Sequence, residues 1–286
     1  MRIGLIVLFL VGSFYSLLAH PGISIVQNSN GIVYYTDLVH VWRIHPNGVH
    51  EIAVKDVHTH LLFLDEEDNL YGEHSWYEGE ATDKWGYLIW KLDTKGKLEY
   101  IVPPTEGFPK NNQLVRDRTG NQYWPQEIID HEVLMKTTPD GEAMQFSTHK
   151  FEDIRWISAA KDRDFVFVVD MLSLKKVDAA GNVEIIVDNL KEEERLFNGV
   201  RDMHYVMGIW NDESGYIYAA VYGDRVVKRI APDGEVSNYL ISPRGWSPSG
   251  GFIDVDGSLW VLEYSIRNKA RVRKICLGGE TEVYEQ

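Results

Sequence analysis

Short apolar runs, each closed by a polar turn, recur along the chain from about Gly22 to its end. Runs of this length bounded by Gly, Asp, Asn and Pro predict β-strands, because helices need longer stretches with a 3.6-residue period. The clearest case is Ser249 to Tyr264, SGGFIDVDGSLWVLEY. Gly251–Val255 predicts one strand, Asp256-Gly257 a two-residue hairpin turn, and Leu259–Leu262 a second strand, with both strands buried on both faces.

A second turn signal follows each such unit: His45–Gly48, Asp93–Gly96, Thr138–Gly141, Asp178–Gly181, Ala231–Gly234 and Leu277–Glu280. Each separates two further strands, as VWRI from VHEIAV or VVKRI from EVSNYL. The repeat is therefore four strands long. From Gly48 to Gly279 the turn glycines lie 48, 45, 40, 53 and 45 residues apart, the period of propeller blades. The fold predicted is all-β, a six-bladed β-propeller of four-stranded antiparallel blades, forming a single domain over residues 20–286. A β-sandwich with irregular repeats and a seven-bladed ring are the alternatives, and six aligned pairs of turns argue against both. Closure by face packing and closure by an exchanged strand both stay open. Only Leu190–Leu196 has helical composition.

The pattern Pro248-Ser249-Gly250-Gly251, Asp254–Val261 and Glu263 resembles an NHL-type repeat. The whole arrangement is similar to the six-bladed propellers of the NHL and gluconolactonase/regucalcin-like superfamily. That resemblance implies a ring with its site at the central opening, where gluconolactonase-like members hold a divalent metal using a Glu at the start of a blade and Asn and Asp from others. This chain has Gly22-Ile23-Ser24 at the corresponding start, with no Glu.

The first residues add a location. Met1-Arg2 followed by the apolar stretch Ile3–Leu18 and the small Ala19 predicts a signal peptide over residues 1–19, hence an exported protein, periplasmic or secreted. No later segment is long and apolar enough to span a bilayer, so no membrane insertion is expected after cleavage. The net charge of −14 excludes nucleic acid and anionic membrane surfaces as natural partners. The single cysteine, Cys276, sits in a predicted strand and cannot form an intramolecular disulfide.

Chemistry is expected on the face carrying the long connections, since loops on a rigid scaffold hold binding groups. Those connections include Pro103–Lys110, Asp188–Met203, Ile241–Pro248 and, within the second blade, Ser75–Gly86. His58, His60, Asn112, Arg155, His204 and Ser249 are expected to begin inner strands, and Glu73, His74, Glu127 and Glu263 to end the next ones. His58, His60 and His204 are the candidate ligands of one divalent metal ion, because imidazole suits zinc-like ions. As catalytic groups, His204 or His58 could act as general base, with Arg155 stabilising an oxyanion and Glu127 or Glu73 orienting the base. The least repeat-like stretch, GEHSWYEGEATDKW (Gly72–Trp85), combines aromatic rings with carboxylates. With Trp246, its residues Glu73, His74, Trp76, Tyr77 and Trp85 suit a polar small molecule or glycan, and the same loop could instead present itself to a protein. The enzyme reading is metal-assisted hydrolase or lyase chemistry on a sugar- or lactone-like ligand; the rival reading is a non-catalytic interaction module. No Gly-x-Ser-x-Gly elbow, phosphate loop or dinucleotide fingerprint occurs.

Overall fold

One turn geometry shapes the chain. The computed structural model describes residues 22–108, 114–117, 119–159, 165–192 and 204–286. At the glycine-bearing turns, the first residue donates its N–H to the carbonyl four residues on and accepts from the N–H three residues on. Asp93 with Lys97 and Gly96, and Asp254 with Ser258 and Gly257, are two examples. That is a type I turn closed by a left-handed residue, which explains why glycine recurs at the fourth place: φ is 83° at Gly96 and 79° at Gly257. The turn of the Ser249–Tyr264 unit is therefore longer than two residues. Val255 is a 99 % exposed turn residue, not the end of a buried strand.

These turns fold the chain into consecutive antiparallel sheets. The first blade contains β1 (Ile25–Gln27), β2 (Val33–Thr36), β3 (Val41–Ile44) and β4 (His50–Val54). The second contains β5 (Leu62–Leu64), β6 (Leu70–Tyr77), β7 (Trp85–Leu92) and β8 (Leu98–Glu106). The third has β9 (Gln122–Ile128), β10 (His131–Thr137) and β11 (Ala143–Gln145). Among the described residues its inner position is held by Val115-Arg116, through a bridge between Arg116 and Gln122. β12 (Ile154–Ala159), β13 (Phe165–Asp170), β14 (Ser173–Asp178) and β15 (Val183–Val187) form the fourth blade. β16 (Val206–Asn211), β17 (Ile217–Val221), β18 (Val226–Ile230) and β19 (Val236–Ile241) form the fifth. The sixth is β20 (Trp246–Ile253), β21 (Leu259–Ser265), β22 (Ala270–Ile275) and β23 (Thr281–Glu285). Together they make a six-bladed β-propeller.

Among the described residues the ring closes by packing faces, with no strand shared between the first and sixth blades. Ile25, Val33, Tyr35 and Ile44 of the first blade bury against Trp260, Leu262, Tyr264 and Val272 of the sixth. The Tyr264 hydroxyl donates to the Thr36 carbonyl at 2.8 Å, and Gln27 Nε2 donates to Asp254 at 2.9 Å. Inner strands meet tightly enough that a Cβ on Gly250 would lie 1.9 Å from the Ile23 carbonyl oxygen.

Some element boundaries differ from expectation. Pro103–Glu106 continues β8 and is not a connection, and Trp246 begins β20. Cys276 lies just past β22, half-buried, where its N–H opens the last turn. The signal peptide and most of Leu190–Leu196 lie outside the described residues. Among the described residues no helix is long and apolar enough to cross a membrane.

Candidate functional site

The connector from β4 into β5 is extended, so neighbouring side chains alternate in direction. Thr59 is fully buried; its hydroxyl donates to the Glu73 carbonyl at 2.6 Å, and its own carbonyl accepts from Thr36 Oγ1 at 2.7 Å. Its neighbours His58 and His60 then stand together on the other side, ring centroids 4.6 Å apart and nearly perpendicular.

Each of these rings is oriented by an oxygen at Nδ1. In His58, Nδ1–H donates to the Leu38 carbonyl at 2.9 Å. In His60, Nδ1–H donates to Glu73 Oε1 at 3.2 Å. The same carboxylate is fixed by the N–H groups of His60, at 2.5 Å, and Leu61, at 3.2 Å. Both imidazoles, when neutral, therefore carry their lone pair on Nε2. His74 is held the other way: its Nδ1 accepts the His58 backbone N–H at 2.8 Å, so its proton is on Nε2. Burial pulls the pKa of His58 below the usual histidine value, and the nearby His60 charge adds to the effect. Burial does the same at His74, partly opposed by Glu73. His74 stacks on Trp76, and both line a groove of about 400 Å³ with Lys55, Asp56, Leu88 and Tyr100, between the first and second blades.

Acids in or just after the second strands of three blades hold the chain that enters the same blade. Glu73 does so for Leu61, Asp170 for the N–H groups of Glu152 and Asp153, and Asp224 for that of Glu192. In the sixth blade Glu263 is fully buried, accepts from Ser242 Oγ, and is paired with Arg271 and Arg273 at 2.8 and 2.6 Å. The ring of Trp246 lies under the Arg271 guanidinium, 3.9 Å away, and Ser249 is fully buried with its hydroxyl on the Leu262 carbonyl. Glu263 and Ser249 thus belong to the interior of the blade and not to a ligand surface. Their polarity is spent on anchoring.

The expected catalytic residues His204, Arg155 and Glu127 occupy different settings. Glu127 is exposed on β9, while Arg155 is paired with Asp153 and feels the charge of Glu132. Glu132, opposite Glu127 in register, is the carboxylate that turns inward, accepting the Ile154 N–H; burial raises its pKa. Sequence reading missed it because the two paired acids share one face of the sheet, and only the packing of the next blade brings the Ile154 N–H to Glu132. His204 is half-buried ahead of β16. Among the described residues no three His, Cys, Asp or Glu side chains are placed to hold a metal, so the His58, His60, His204 set is not assembled. Among the described residues the histidine pair has no third ligand of those types, so a divalent ion does not fit there. Asn112 lies outside the described residues. Tyr77 and Trp85, the last register pair of the β6–β7 hairpin, lie tilted against each other with ring centroids 4.8 Å apart.

No protein-family model matches the chain, and no curated protein sequence matches it. Solved structures do. Virginiamycin B lyase from Staphylococcus aureus superposes with a TM-score of 0.52 at 12% identity, covering 93% of this chain and 85% of that one. A gluconolactonase from Xanthomonas campestris gives 0.56 at 13%, covering 85% and 83%. The calcium-binding protein regucalcin from Agrobacterium tumefaciens gives 0.56 at 15%, covering 85% and 81%. At these identities the likeness is one of fold, and the chain shares the six-bladed propeller architecture of these lyase, gluconolactonase and regucalcin structures.

Proposed function

We propose that this protein is an exported propeller enzyme that opens an ester or lactone bond in a polar small molecule at the mouth of its second blade. The observation that supports it is the anchoring of His58 and His60 through Nδ1, which leaves two adjacent Nε2 lone pairs. His60, oriented by Glu73, is the base. Its Nε2 takes a proton from water as the water oxygen bonds to the carbonyl carbon; the ring C–O bond then breaks and the leaving alkoxide recovers that proton. Glu73 keeps the tautomer and steadies the imidazolium, as a carboxylate behind a histidine does in other hydrolytic sites. His58, kept neutral by burial, accepts a hydrogen bond from the water or a substrate hydroxyl. The Trp76–His74 groove holds the apolar side of the ligand.

Gluconolactonase and lyase chemistries are found on this fold, which makes both reaction classes worth assaying but decides neither. A panel of sugar lactones, simple esters and cyclic depsipeptides tests the reading. The expected outcome is turnover of at least one, falling about 10-fold or more in Glu73→Gln, which keeps the shape and loses the charge. Equal rates in wild type and E73Q would remove Glu73 from the mechanism.

A further inference from the structure

Five seams between neighbouring blades are filled by buried apolar clusters. Among the described residues the seam between the second and third blades has no such cluster, and a cleft of about 430 Å³ opens there. Its walls are Tyr87, Thr105 and Phe108 on one side and Trp124 and Thr137 on the other. From its wall at Phe108, Trp85 and Tyr77 continue outward as a row with successive ring centroids 5.1 and 4.8 Å apart. These rings are 62, 40 and 40 % exposed, an unusual cost for three aromatic side chains in contact.

We propose that this cleft and the aromatic row leading to it bind a neutral oligosaccharide, at a site separate from the histidine pair. The size fits a small ligand, since binding pockets run from about 300 to 1,000 Å³. Pyranose rings expose apolar C–H faces that pack on aromatic rings and hydroxyls that pair with side-chain oxygens. Thr137 Oγ1 accepts from Trp124 Nε1 at 3.0 Å and keeps its own proton to donate, while Thr105 Oγ1 donates to the Pro103 carbonyl at 2.7 Å and keeps lone pairs to accept. Glu106 is the one charged residue in the lining, and it is paired with Lys84 at 2.8 Å, so nothing there selects an ion. An extended peptide fits less well. Strand addition along β8 needs a row of donors, and Pro103 and Pro104 lack N–H groups where the cleft begins.

The test is titration of the whole protein with cellotriose, maltotriose, xylotriose and chitotriose, followed by tryptophan fluorescence and calorimetry. At least one sugar should bind saturably, with Kd raised at least about tenfold in Trp85→Ala and in Phe108→Ala. Both positions are exposed enough to be changed without unfolding, and a thermal melt checks this. The site fails if no sugar binds, if the double variant binds as well as wild type, or if an extended peptide displaces the sugar. Loss of sugar binding in H60A would also sink it, by moving the ligand to the histidines. Because the readout is binding, this result is separable from whether His60 performs a reaction.

Discussion

Thr59 and Glu73 fix the histidine pair by opposite means, one from inside the seam and one from the strand end. Thr59→Val keeps the shape but leaves the Glu73 carbonyl without its hydroxyl donor, so a loss of about 1–3 kcal/mol is expected in urea unfolding. Glu263→Gln leaves two buried guanidinium groups short of their shared carboxylate and should cost about 3–5 kcal/mol by the same measurement. Unchanged midpoints would contradict the anchoring roles. His58 and His60 precede β5, while Glu73 and His74, expected to end a strand, lie in the middle of β6, from where they reach the histidine connector. Sequence reading misassigned Glu263 although the counter-ions were legible: Arg271 and Arg273 are two apart on the next strand and so share a face. The role of Glu132 was not legible, since it shares a sheet face with Glu127 and its contact with the Ile154 N–H depends on how the fourth blade packs against the third.

At the scale of strands and turns, repetition made the architecture readable. Six turn signals gave the blade count, while boundaries slipped because the glycine marks the fourth residue of a turn, not its second. The two kinds of glycine should respond differently to a methyl group. Gly48 has φ 83° with nothing within 4 Å of a new Cβ, so Gly48→Ala should cost about 1–2 kcal/mol of backbone strain. Gly250→Ala drives a Cβ into the Ile23 backbone and should prevent ring closure, seen as aggregation or a broadened melt. A mild Gly250→Ala phenotype would mean that the first and sixth blades are not held this closely.

Across the whole molecule, histidines couple stability to pH. Burial lowers the pKa of His50, His58 and His74, and of His149, where the Lys175 charge adds to it. The folded protein thus binds fewer protons than the unfolded chain as pH falls through about 6.5. Stability should be full above that value and decline below it, towards the depressed folded pKa values. The expected result is a Tm that drops between about pH 7 and pH 5, with part of the slope removed in His50→Gln. A Tm that rises on acidification would reverse the assignment of these groups as neutral.

Blade counting could not reveal which blade works, because the scaffold is the part that repeats and the second blade is the part that departs from it. That departure supplies the Glu73–His60 contact on which the proposed reaction turns. The most direct measurement is kcat/KM for the best lactone or ester substrate in wild type, His60→Ala and His204→Ala. The mechanism predicts a loss of about 100-fold or more in H60A and near-normal turnover in H204A. Full activity in H60A, or the loss appearing in H204A instead, would contradict it.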